Sequence, residues 1–436
     1  MSARKTICVI GTNEYNLDLI RAIPEAKDWD VVPVLHKTDV QPSHGRIDFD
    51  QLLKRARTEI EALDAGPDAI IGDLDFPVTA LVALLQKHFE LPGASPEAVA
   101  KCEHKYWMRQ EQKKILKDIT PTVRAINPFD IDAAYKTAPK YPFWMKPVKG
   151  HSSVLGFLVE DDDDFDRALH ESRLKIHLIG EPFNQFLDHL EDDTRPDGVD
   201  GNFAVAESLI DAKRQFTLEG YVHKNETVIY GAVDSVRFGA TKSSFSRFQY
   251  PADLPDDVME RCRELTAAMM TQIGYDQSPF NIEFFWNPET GALSLLEINA
   301  RISKSHSPQF QMVDGRSHHK VAVDLALGNK PDFPKGEGKD AIAAKFILRS
   351  FEADAIVKRV PDEGEIAELK RILPDIEAQV LVSENMRLST LFYQDSYSYE
   401  LVDVFLGGRD AEMLEDSYRR CVDSLPVWLK PIPDTL

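Results

Sequence analysis

Residues 279–306, which read PFNIEFFWNPETGALSLLEINARISKSH, constrain the fold of this chain more than any other segment. The run NIEFFW is rich in β-branched and aromatic residues, NPETG contains turn-forming residues, and ALSLLEINA is again typical of a strand. The segment is therefore predicted to form an antiparallel hairpin. Pairing the two strands symmetrically about the turn places Phe284 opposite Ser294.

Because side chains alternate along a strand, this register assigns every residue of the hairpin to a face. Glu283 and Glu297 become diagonal neighbours on one face, within about 7–8 Å of each other at Cα. Asn281, Leu295 and Asn299 share that face. The other face is apolar and carries Ile282, Phe284, Leu296 and Ile298.

Two interpretations of the acidic face stay open. A polar, half-solvated sheet face would explain Glu283 alone. It explains residues 297–301 less well, because an acid, an amide and a base alternate there with apolar residues. Hard divalent cations prefer oxygen ligands, and Mg²⁺ typically binds one or two carboxylates together with substrate phosphates. Glu283, Glu297 and Asn299 are therefore candidate metal ligands.

The hairpin resembles the metal-binding core of the ATP-grasp superfamily, which includes biotin carboxylase, D-alanine–D-alanine ligase, carnosine synthase and the L-amino-acid ligases. The superfamily pattern is an acid on one strand, followed by Glu-x-Asn-x-Arg at the end of the next. Glu283, Glu297, Asn299 and Arg301 match that pattern. The resemblance implies an α/β fold of the ATP-grasp type (an α+β arrangement), with ATP and Mg²⁺ or Mn²⁺ as cofactors.

The first hundred residues alternate between short apolar strands and helices, which favours a doubly wound α/β unit. Strands are predicted at 6–10, 29–35 and 68–72, and helices at 17–23 and 78–88. The region has no G-x-G-x-x-G motif, so dinucleotide binding is not supported.

The resemblance implies a division into three domains. An N-terminal pre-ATP-grasp domain would span residues 1–98. A central two-lobed ATP-grasp domain would span 99–330, with a mobile lid lobe at about 140–210, and a small mixed C-terminal lobe would span 331–436. In that last part, strands are predicted at 343–350, 378–382, 386–392 and 397–405.

Two lysines lie where the superfamily contacts the phosphates of ATP. Lys105 follows a Leu-Pro-Gly turn on a predicted helix, although a solvated helix lysine would look the same. Lys146 lies in the bulky strand YPFWMKPV, where its ammonium group must either reach solvent or meet an anion. Ser152 and Ser153 resemble the loop that closes over the phosphate tail, and His151 either contacts the γ-phosphate or caps that loop. Small residues there let backbone N–H groups approach phosphate oxygens.

The adenine-binding segment is implied by the same resemblance. Glu207 would accept a hydrogen bond from the adenine amino group or orient its neighbours. The backbone of Ser208, Leu209 and Ile210 would contact the adenine edge. An ordinary strand ending in a polar residue would look similar.

Three further side chains are candidates for the nucleoside. Gln215 lies near the position of a ribose-contacting residue in the superfamily. Phe285 and Leu295 lie on the acidic face of the hairpin and would pack against adenine. Leu296 is included on the resemblance alone, because the parity count places it on the opposite face.

Arg301 and Lys146 are the predicted catalytic residues. The guanidinium of Arg301 offers a rigid donor fork to an acceptor carboxylate and to a tetrahedral intermediate. Ser305 and His306, together with Arg301, are predicted to contact substrate. His318 and His319 have no acid or cysteine at ligand spacing, so they are interpreted as surface or substrate-cleft residues rather than metal ligands.

The implied reaction is ATP-dependent activation of a small-molecule carboxylate as an acyl-phosphate, followed by displacement of phosphate by an amine. The products would be an amide or dipeptide, ADP and phosphate. The pattern Arg301-Ile302-x-x-x-His306 also resembles biotin carboxylases, but Ser305 stands where those enzymes have a glutamate. Biotin-carboxylase-type carboxylation, a phosphotransferase and a non-enzymatic nucleotide-binding scaffold therefore stay open as alternatives.

The composition of the chain limits the classes of partner that it is expected to bind. A net charge of −21 argues against nucleic acid or an anionic membrane as the main partner. The four cysteines are far apart with no C-x-x-C, which predicts reduced thiols. The N-terminus lacks a signal-peptide pattern, so the cytoplasm is expected. Many members of the superfamily are homodimers through the first domain, so the resemblance implies a homodimer, although the residues themselves leave the oligomeric state open.

Overall fold

The computed structural model describes residues 4–41, 46–150, 154–191, 195–196, 198–238, 244–351, 354–391, 394 and 397–432. The strands are β1 (Lys5–Thr12), β2 (Trp29–His36), β3 (Ala69–Ile71), β4 (Val123–Ile126), β5 (Phe143–Pro147), β6 (Phe157–Val159), β7 (Ala204–Ser208), β8 (Arg214–His223), β9 (Glu226–Phe238), β10 (Ser244–Tyr250), β11 (Ser278–Trp286), β12 (Leu293–Asn299), β13 (Ile342–Ser350), β14 (Ala355–Arg359), β15 (Glu377–Val380), β16 (Tyr399–Gly408) and β17 (Trp428–Pro431). The α-helices are α1 (Glu14–Arg21), α2 (Lys37–Val40), α3 (Phe49–Glu61), α4 (Val78–His88), α5 (Pro96–Glu103), α6 (Lys105–Ile115), α7 (Ile131–Thr137), α8 (Asp162–Lys175), α9 (His177–Leu187), α10 (Asp256–Ile273), α11 (Ser307–Asp314), α12 (His319–Ala326), α13 (Glu363–Ile372) and α14 (Ala411–Ser424). The predicted α/β fold class is confirmed.

The first sheet is parallel, in the order β2-β1-β3, and helices cover both of its faces. Ile7 and Val9 of β1 pack with α1 and α12, whereas Cys8 and Ile10 pack with α3 and α4. Successive side chains of a strand point to opposite faces, so an uninterrupted apolar strand needs cover on both sides. The doubly wound arrangement predicted here is confirmed, and α12, from much later in the chain, supplies part of the cover.

The second sheet is antiparallel, in the order β4-β7-β5-β6. Phe143 and Met145 of β5 pack with Phe165 on one face of this sheet. Trp144 and Lys146 therefore point to the other face, where they line a cavity. The sheet begins with β4, upstream of the predicted start of the lid lobe at residue 140. The limits and the mobility of that lobe stay predictions.

The third sheet has eight strands in the order β12-β11-β8-β9-β10-β13-β16-β15, all paired antiparallel. Because β10 pairs with β13, this sheet contains strands from both sides of the predicted domain boundary at residue 330. The strands predicted at 343–350, 378–382 and 397–405 are present as β13, β15 and β16. The division into domains itself stays a prediction.

The strand predicted at 386–392 is wrong. Leu388–Thr390 form a 3-10 turn, and Arg387 makes only an isolated bridge to β14 in the part of this segment that the structure describes. Asp354 accounts for the turn, because its Oδ1 accepts a hydrogen bond from the Ser389 N–H at 3.0 Å. A carboxylate that binds local backbone N–H groups competes with strand pairing.

The hairpin predicted at 279–306 is present as β11 and β12, but its register differs from the prediction. Glu283 lies directly opposite Glu297 rather than diagonally, and Asn281 lies opposite Asn299. The symmetric pairing fails because β12 contains one extra residue in a β-bulge, between the acids and the turn.

The extra residue is Leu296, so Phe284 pairs with Leu295 rather than with Ser294. A bulge reverses the alternation of faces beyond it. Leu296 consequently lines the cavity on the acidic face, and Leu295 is fully buried in the core. The parity count had assigned these two leucines the other way round.

Among the described residues, no helix is long and apolar enough to span a bilayer. The four cysteines are buried free thiols, which agrees with the reduced, structural role predicted for them.

Candidate active site

A cavity of about 980 Å³ lies between the four-stranded sheet, the eight-stranded sheet and the loops of the first sheet. Most of the side chains selected from the sequence line it: Lys146, Glu207, Ser208, Leu209, Ile210, Gln215, Glu283, Phe285, Leu296, Glu297, Asn299, Arg301, Ser305 and His306. Lys105 lies directly beside this lining. The predicted phosphate-loop residues Ser152 and Ser153, with His151, lie outside the described residues.

Two facing carboxylates form the acidic part of the cavity. Burial and the negative charge of Glu297 raise the pKa of Glu283 to about 7. Burial also acts to raise the pKa of Glu297, but the charges of Lys105 and Lys146 lower it below its usual value. Two half-buried carboxylates that repel each other form a site that a cation stabilises.

Hydrogen bonds on both sides orient these oxygens. The side-chain amide of Asn299 donates to Oδ1 of Asn281 at 2.8 Å, which uses its nitrogen and leaves its carbonyl oxygen for the cavity. Nε2 of Gln215 donates to Oε2 of Glu283 at 2.6 Å, and Oε1 of Gln215 accepts from the guanidinium of Arg237. Partners of this kind fix the direction of metal-ligand carboxylates. Gln215, predicted near ribose, therefore lies against the acidic pair.

The described residues contain no group of three or more His, Cys, Asp or Glu side chains suited to a metal ion. Mg²⁺ does not need such a group, because it keeps several waters and binds one or two carboxylates plus substrate phosphates. Two glutamates and an amide oxygen fit that ion, whereas they do not fit a tetrahedral zinc site built on His or Cys.

Lys105 and Lys146 bring positive charge to the same cavity. Lys105 begins α6, and its ammonium group donates to the carbonyl oxygen of Gly150 at 2.7 Å and lies 3.4 Å from Oε2 of Glu297. Nζ of Lys146 lies 2.9 Å from Oε2 of Glu207. Burial lowers the pKa of Lys105, and the charge of Glu297 offsets this only in part. Partly compensated ammonium groups of this kind favour an anion such as a polyphosphate.

A residue that the sequence analysis missed holds Glu207. Arg109 of α6 is 0% exposed, and its Nε donates to Oε1 of Glu207 at 2.6 Å. Its Nη1 donates to Oε1 of Gln112 at 2.7 Å and to the carbonyl oxygen of Leu295 at 3.0 Å. Although burial alone would raise it, Arg109 and Lys146 lower the pKa of Glu207 to about 2. Since two cations engage this carboxylate, the geometry favours an orienting role over direct contact with adenine.

The segment after Glu207 reaches the cavity mainly through its last two residues. The N–H of Ser208 donates to the carbonyl oxygen of Thr122 at 2.9 Å, and its hydroxyl accepts from the Thr122 N–H at 3.1 Å. Ser208 is thus tied to the residue that precedes β4. Leu209 and Ile210 continue along the cavity wall, and Leu209 is 47% exposed. The backbone groups of these two residues are the better candidates for contact with an adenine edge.

Apolar side chains line the cavity from two sheets. Phe285 and Leu296 come from the eight-stranded sheet, and Trp144 and Leu158 come from the four-stranded sheet. Flat apolar surfaces on opposite sides of a cleft suit a planar ring. Trp144 and Leu158 were not selected from the sequence, although strand alternation places Trp144 on the same face of β5 as Lys146 and could have indicated it.

Arg301 belongs to a buried ionic network that was also missed. Its Nη2 donates to Oδ2 of Asp75 at 2.7 Å. Nζ of Lys149 donates to Oδ1 of the same carboxylate at 2.6 Å and contacts Glu103. Although burial opposes it, Asp75 raises the pKa of Arg301 and keeps the guanidinium charged. The loop after β3 therefore sets the position of Arg301.

Ser305 and His306 lie in a 3-10 turn, Lys304–His306, at the cavity wall. His306 is buried, and its Nδ1 lies 2.7 Å from Oε1 of Glu219 on β8. The Ser303 N–H donates to the same oxygen at 3.3 Å. Glu219, which the sequence analysis did not select, thus fixes the turn that carries the predicted substrate contacts.

The interpretation of His318 and His319 as surface or cleft residues is wrong. Both are buried, because α12 packs between the first sheet and the eight-stranded sheet. Nε2 of His318 lies 3.0 Å from the carbonyl oxygen of Ser303, and Nε2 of His319 lies 2.9 Å from Oδ2 of Asp73. They support the site from behind.

Known proteins resemble this chain in sequence and in fold. A family model described as the ATP-binding domain of the carbamoyl-phosphate synthase L chain matches residues 249–332, which include the hairpin. The carbamoyl phosphate synthase large chain of Ralstonia nicotianae is 26% identical over 313 residues, covering 68% of this chain and 26% of the relative. The chain spans about a quarter of the length of the curated relatives it matches.

Two solved structures resemble the whole chain. The L-amino acid ligase from Bacillus licheniformis has a TM-score of 0.72 at 14% identity. The match covers 98% of this chain and 99% of the ligase. The carboxyaminoimidazole ribonucleotide synthase from Aspergillus clavatus, complexed with ATP, has a TM-score of 0.65 at 15% identity. The match covers 97% of this chain and 99% of the synthase. These likenesses confirm the ATP-grasp fold. The family-model match covers the hairpin that carries the Glu-x-Asn-x-Arg pattern, which agrees with the predicted resemblance.

Proposed function

We propose that this protein is an ADP-forming ligase that activates a small-molecule carboxylate as an acyl-phosphate and couples it to an amine. The observation that carries the proposal is the convergence of Glu283 and Glu297 with the ammonium groups of Lys105 and Lys146 at one cavity. A triphosphate and a carboxylate repel each other, so a site that reacts them needs fixed positive charge. The likeness to an ATP-bound synthase and to an L-amino acid ligase supports ATP as the nucleotide.

The donor set supports a proposed position for each cofactor. Glu283, Glu297 and Asn299 would hold Mg²⁺ or Mn²⁺, and Lys105 and Lys146 would hold phosphate oxygens. When bound, the ion supplies charge neutralisation between the phosphates and the attacking carboxylate. The apolar residues from the two sheets would enclose the adenine.

The reaction needs two displacements. A carboxylate oxygen of the substrate attacks the γ-phosphorus, and the bond to the β-phosphate oxygen breaks to release ADP. The amine nitrogen then attacks the acyl carbon, loses a proton, and the carbon–oxygen bond to phosphate breaks. Arg301 would donate to the acceptor carboxylate and to the oxygen of the tetrahedral intermediate, in an orientation fixed by Asp75.

Amino acids are the proposed substrates, and a dipeptide is the proposed product. The support is the extent of the likeness to the L-amino acid ligase over the whole chain. A homodimer through the first domain is proposed on the family resemblance, and multi-angle light scattering of the purified protein tests it.

A biotin-carboxylase-type reaction is the second candidate, because the Arg301-Ile302-x-x-x-His306 pattern is present. Ser305 lines the cavity at the position where the carboxylase pattern has a glutamate. A serine hydroxyl is a poor general base for bicarbonate at neutral pH. Faster ADP release on addition of bicarbonate and biotin, without amide formation, would reverse the order of the two candidates.

The test is ADP formation from ATP with pooled amino acids and amines, with and without Mg²⁺ or Mn²⁺, followed by mass spectrometry of the products. Glu297→Gln removes one carboxylate of the pair and should reduce turnover by about a hundredfold or more, since it removes charge from the metal site. Glu289→Gln is the matched control, because Glu289 lies in the turn of the same hairpin and pairs with exposed Lys213 at 2.5 Å. It should leave turnover unchanged.

The proposal fails if ADP formation needs neither a divalent ion nor any member of the pools. It also fails if Glu297→Gln turns over as fast as the wild type. A stable phosphorylated product with no amide would identify a phosphotransferase instead.

A further inference from the structure

Part of the cavity lies outside the contacts assigned to nucleotide and metal. It is lined by Asn13 and Tyr15 of the first unit, by Lys37 at the start of α2, and by Lys304 in the turn after β12. Strands β13 and β16 close it with Lys345 and Asp403. Residues from the first, central and last parts of the chain thus meet around this space.

Lys304 is the side chain of interest here, because it is half-buried in the cavity wall and has no salt-bridge or hydrogen-bond partner for its ammonium group among the described residues. Burial and the nearby charge of Lys37 lower the pKa of Lys304 to about 8, and Lys345 adds to this. A lysine held among like charges still carries its proton at pH 7 and favours an anion as its partner.

Asp73 and Asp403 face Lys304, and each pairs with another group through Oδ2, whereas the Oδ1 atoms have no hydrogen-bond partner among the described residues. Oδ2 of Asp73 lies 2.9 Å from Nε2 of His319. Oδ2 of Asp403 lies 2.7 Å from Nζ of Lys345. The charges of Asp73 and Asp403 raise the pKa of Lys304, but less than burial and the two lysines lower it. Lys304, Lys37 and Lys345 thus outnumber Asp73 and Asp403 around this space, within a chain whose net charge is −21.

The N-terminus of α1 opens onto the same space. Asn13 is its N-cap, and Oδ1 of Asn13 accepts from the Asn16 N–H at 3.1 Å. Both asparagines line the cavity. Helix N-termini carry partial positive charge and unpaired N–H groups, so α1 adds to the attraction that Lys304 and Lys37 exert on an anion.

We propose that the space lined by Lys304, Lys37 and the N-terminus of α1 binds an anionic group, a carboxylate or a phosphate, that belongs to one of the two substrates. The inference rests on the proposed function, since it assigns this group to a substrate of the ligase. It requires that a true substrate carries a negative group besides the carboxylate that is activated. Lys304 is then a specificity residue, separate from Arg301 and the metal ligands.

The experiment is calorimetric titration of the full-length protein, with MgADP at saturation, by four probes. Succinate and glycerol 3-phosphate carry the two anions, and succinamide and glycerol are their neutral counterparts. At least one anionic probe should bind, and neither neutral probe should. The anion that binds with the higher affinity identifies the substrate class. Lys304→Met should weaken that binding about tenfold or more, because a charge-assisted hydrogen bond is lost.

Two further variants make the test specific. Lys37→Met should weaken binding of the same probe, but by less than Lys304→Met does. If Lys304→Met does not fold, the result for Lys37→Met decides the outcome. Lys330→Met is the control, because Lys330 is exposed, lies outside the cavity and pairs with Glu226 at 2.7 Å. It should bind the probes as the wild type does, and all three variants should keep the wild-type affinity for MgADP.

Equal affinity of Lys304→Met and wild type for the anionic probe overturns the inference, as does equal binding of charged and neutral probes. Failure of both anions to bind the wild type at millimolar concentration overturns it as well. Failure of MgADP to bind the wild type refutes the proposed function instead, and the same titrations without nucleotide still decide whether an anion binds at Lys304.

Discussion

Replacing Arg109 with methionine should destabilise the protein by about 3–5 kcal/mol, because it leaves the buried carboxylate of Glu207 short of a partner. Arg109 is 0% exposed and makes its closest contact, 2.6 Å, with that carboxylate. Methionine keeps much of the apolar volume and removes only the charge and its donors. The hydrogen bonds to Gln112 and to the carbonyl oxygen of Leu295 are lost with them.

The magnitude follows from the pKa of Glu207. The folded protein holds it at about 2 against an ordinary value of 4.5. At 1.36 kcal/mol per pKa unit, this difference is worth about 3 kcal/mol at neutral pH, shared between Arg109 and Lys146. Arg109 is the larger of the two cationic contributors, ahead of Lys146. The figure agrees with the usual cost of breaking one half of a buried ion pair.

The assay is urea unfolding at pH 7, followed by circular dichroism. Arg263→Met is the matched control, because Arg263 forms an exposed pair with Glu260 at 3.1 Å on α10. It should cost less than about 1 kcal/mol. The double variant Arg109→Met with Glu207→Gln should be more stable than Arg109→Met alone, because the buried carboxylate that lost its Arg109 partner is gone.

The reasoning is refuted if Arg109→Met unfolds within 1 kcal/mol of the wild type, as about 1 kcal/mol is the ceiling for an exposed pair. It is also refuted if the double variant loses the full sum of the two single losses. Nucleotide binding gives a second readout. Among the described residues, Lys146 is then the one cation still paired with Glu207, and this pairing holds it more firmly away from phosphate.

Three other outcomes are expected. Arg301→Ala should lower turnover about a hundredfold or more while the Kd for ATP changes little, and an unchanged kcat would rule out the assigned role. Because the pKa of Glu207 is depressed, its stabilising contribution is present above about pH 4.5 and is lost as the pH falls through about 2; Glu207→Gln should therefore show a shallower loss of stability between about pH 4.5 and about 2, and parallel curves would contradict this. Trp144→Ala should weaken ATP binding about tenfold if it packs on adenine, whereas Trp428→Ala, 60% exposed outside the cavity, should not; equal affinities for both variants would refute the packing.

The hairpin could be predicted because its signals are local. Turn residues, β-branched runs and the Glu-x-Asn-x-Arg spacing lie within 28 consecutive residues. The bulge at Leu296 could not be predicted from them, since the extra residue is fixed by which leucine the core accepts. Leu295 is buried against Phe284 and the rest of the core. This packing shifts the register by one residue from the symmetric pairing.

The residues that were missed have partners far away in sequence. Arg109 lies 98 positions from Glu207, and Arg301 lies 226 positions from Asp75. A lone arginine on a helix or a lone aspartate in a loop looks like solvated surface until the fold brings its partner to it. Sequence patterns therefore identified the residues of the cavity wall better than those that hold the wall in place.

The pairing of β10 with β13 has a consequence for any attempt to shorten the chain. Arg247, Phe248, Gln249 and Tyr250 are matched across that seam by residues 343–346. A protein truncated after residue 330 would expose this side of β10 as a free edge, with backbone donors and acceptors in a row. Such edges recruit strands from other molecules. The last hundred residues therefore cover an edge that would otherwise promote self-association, in addition to lining the cleft.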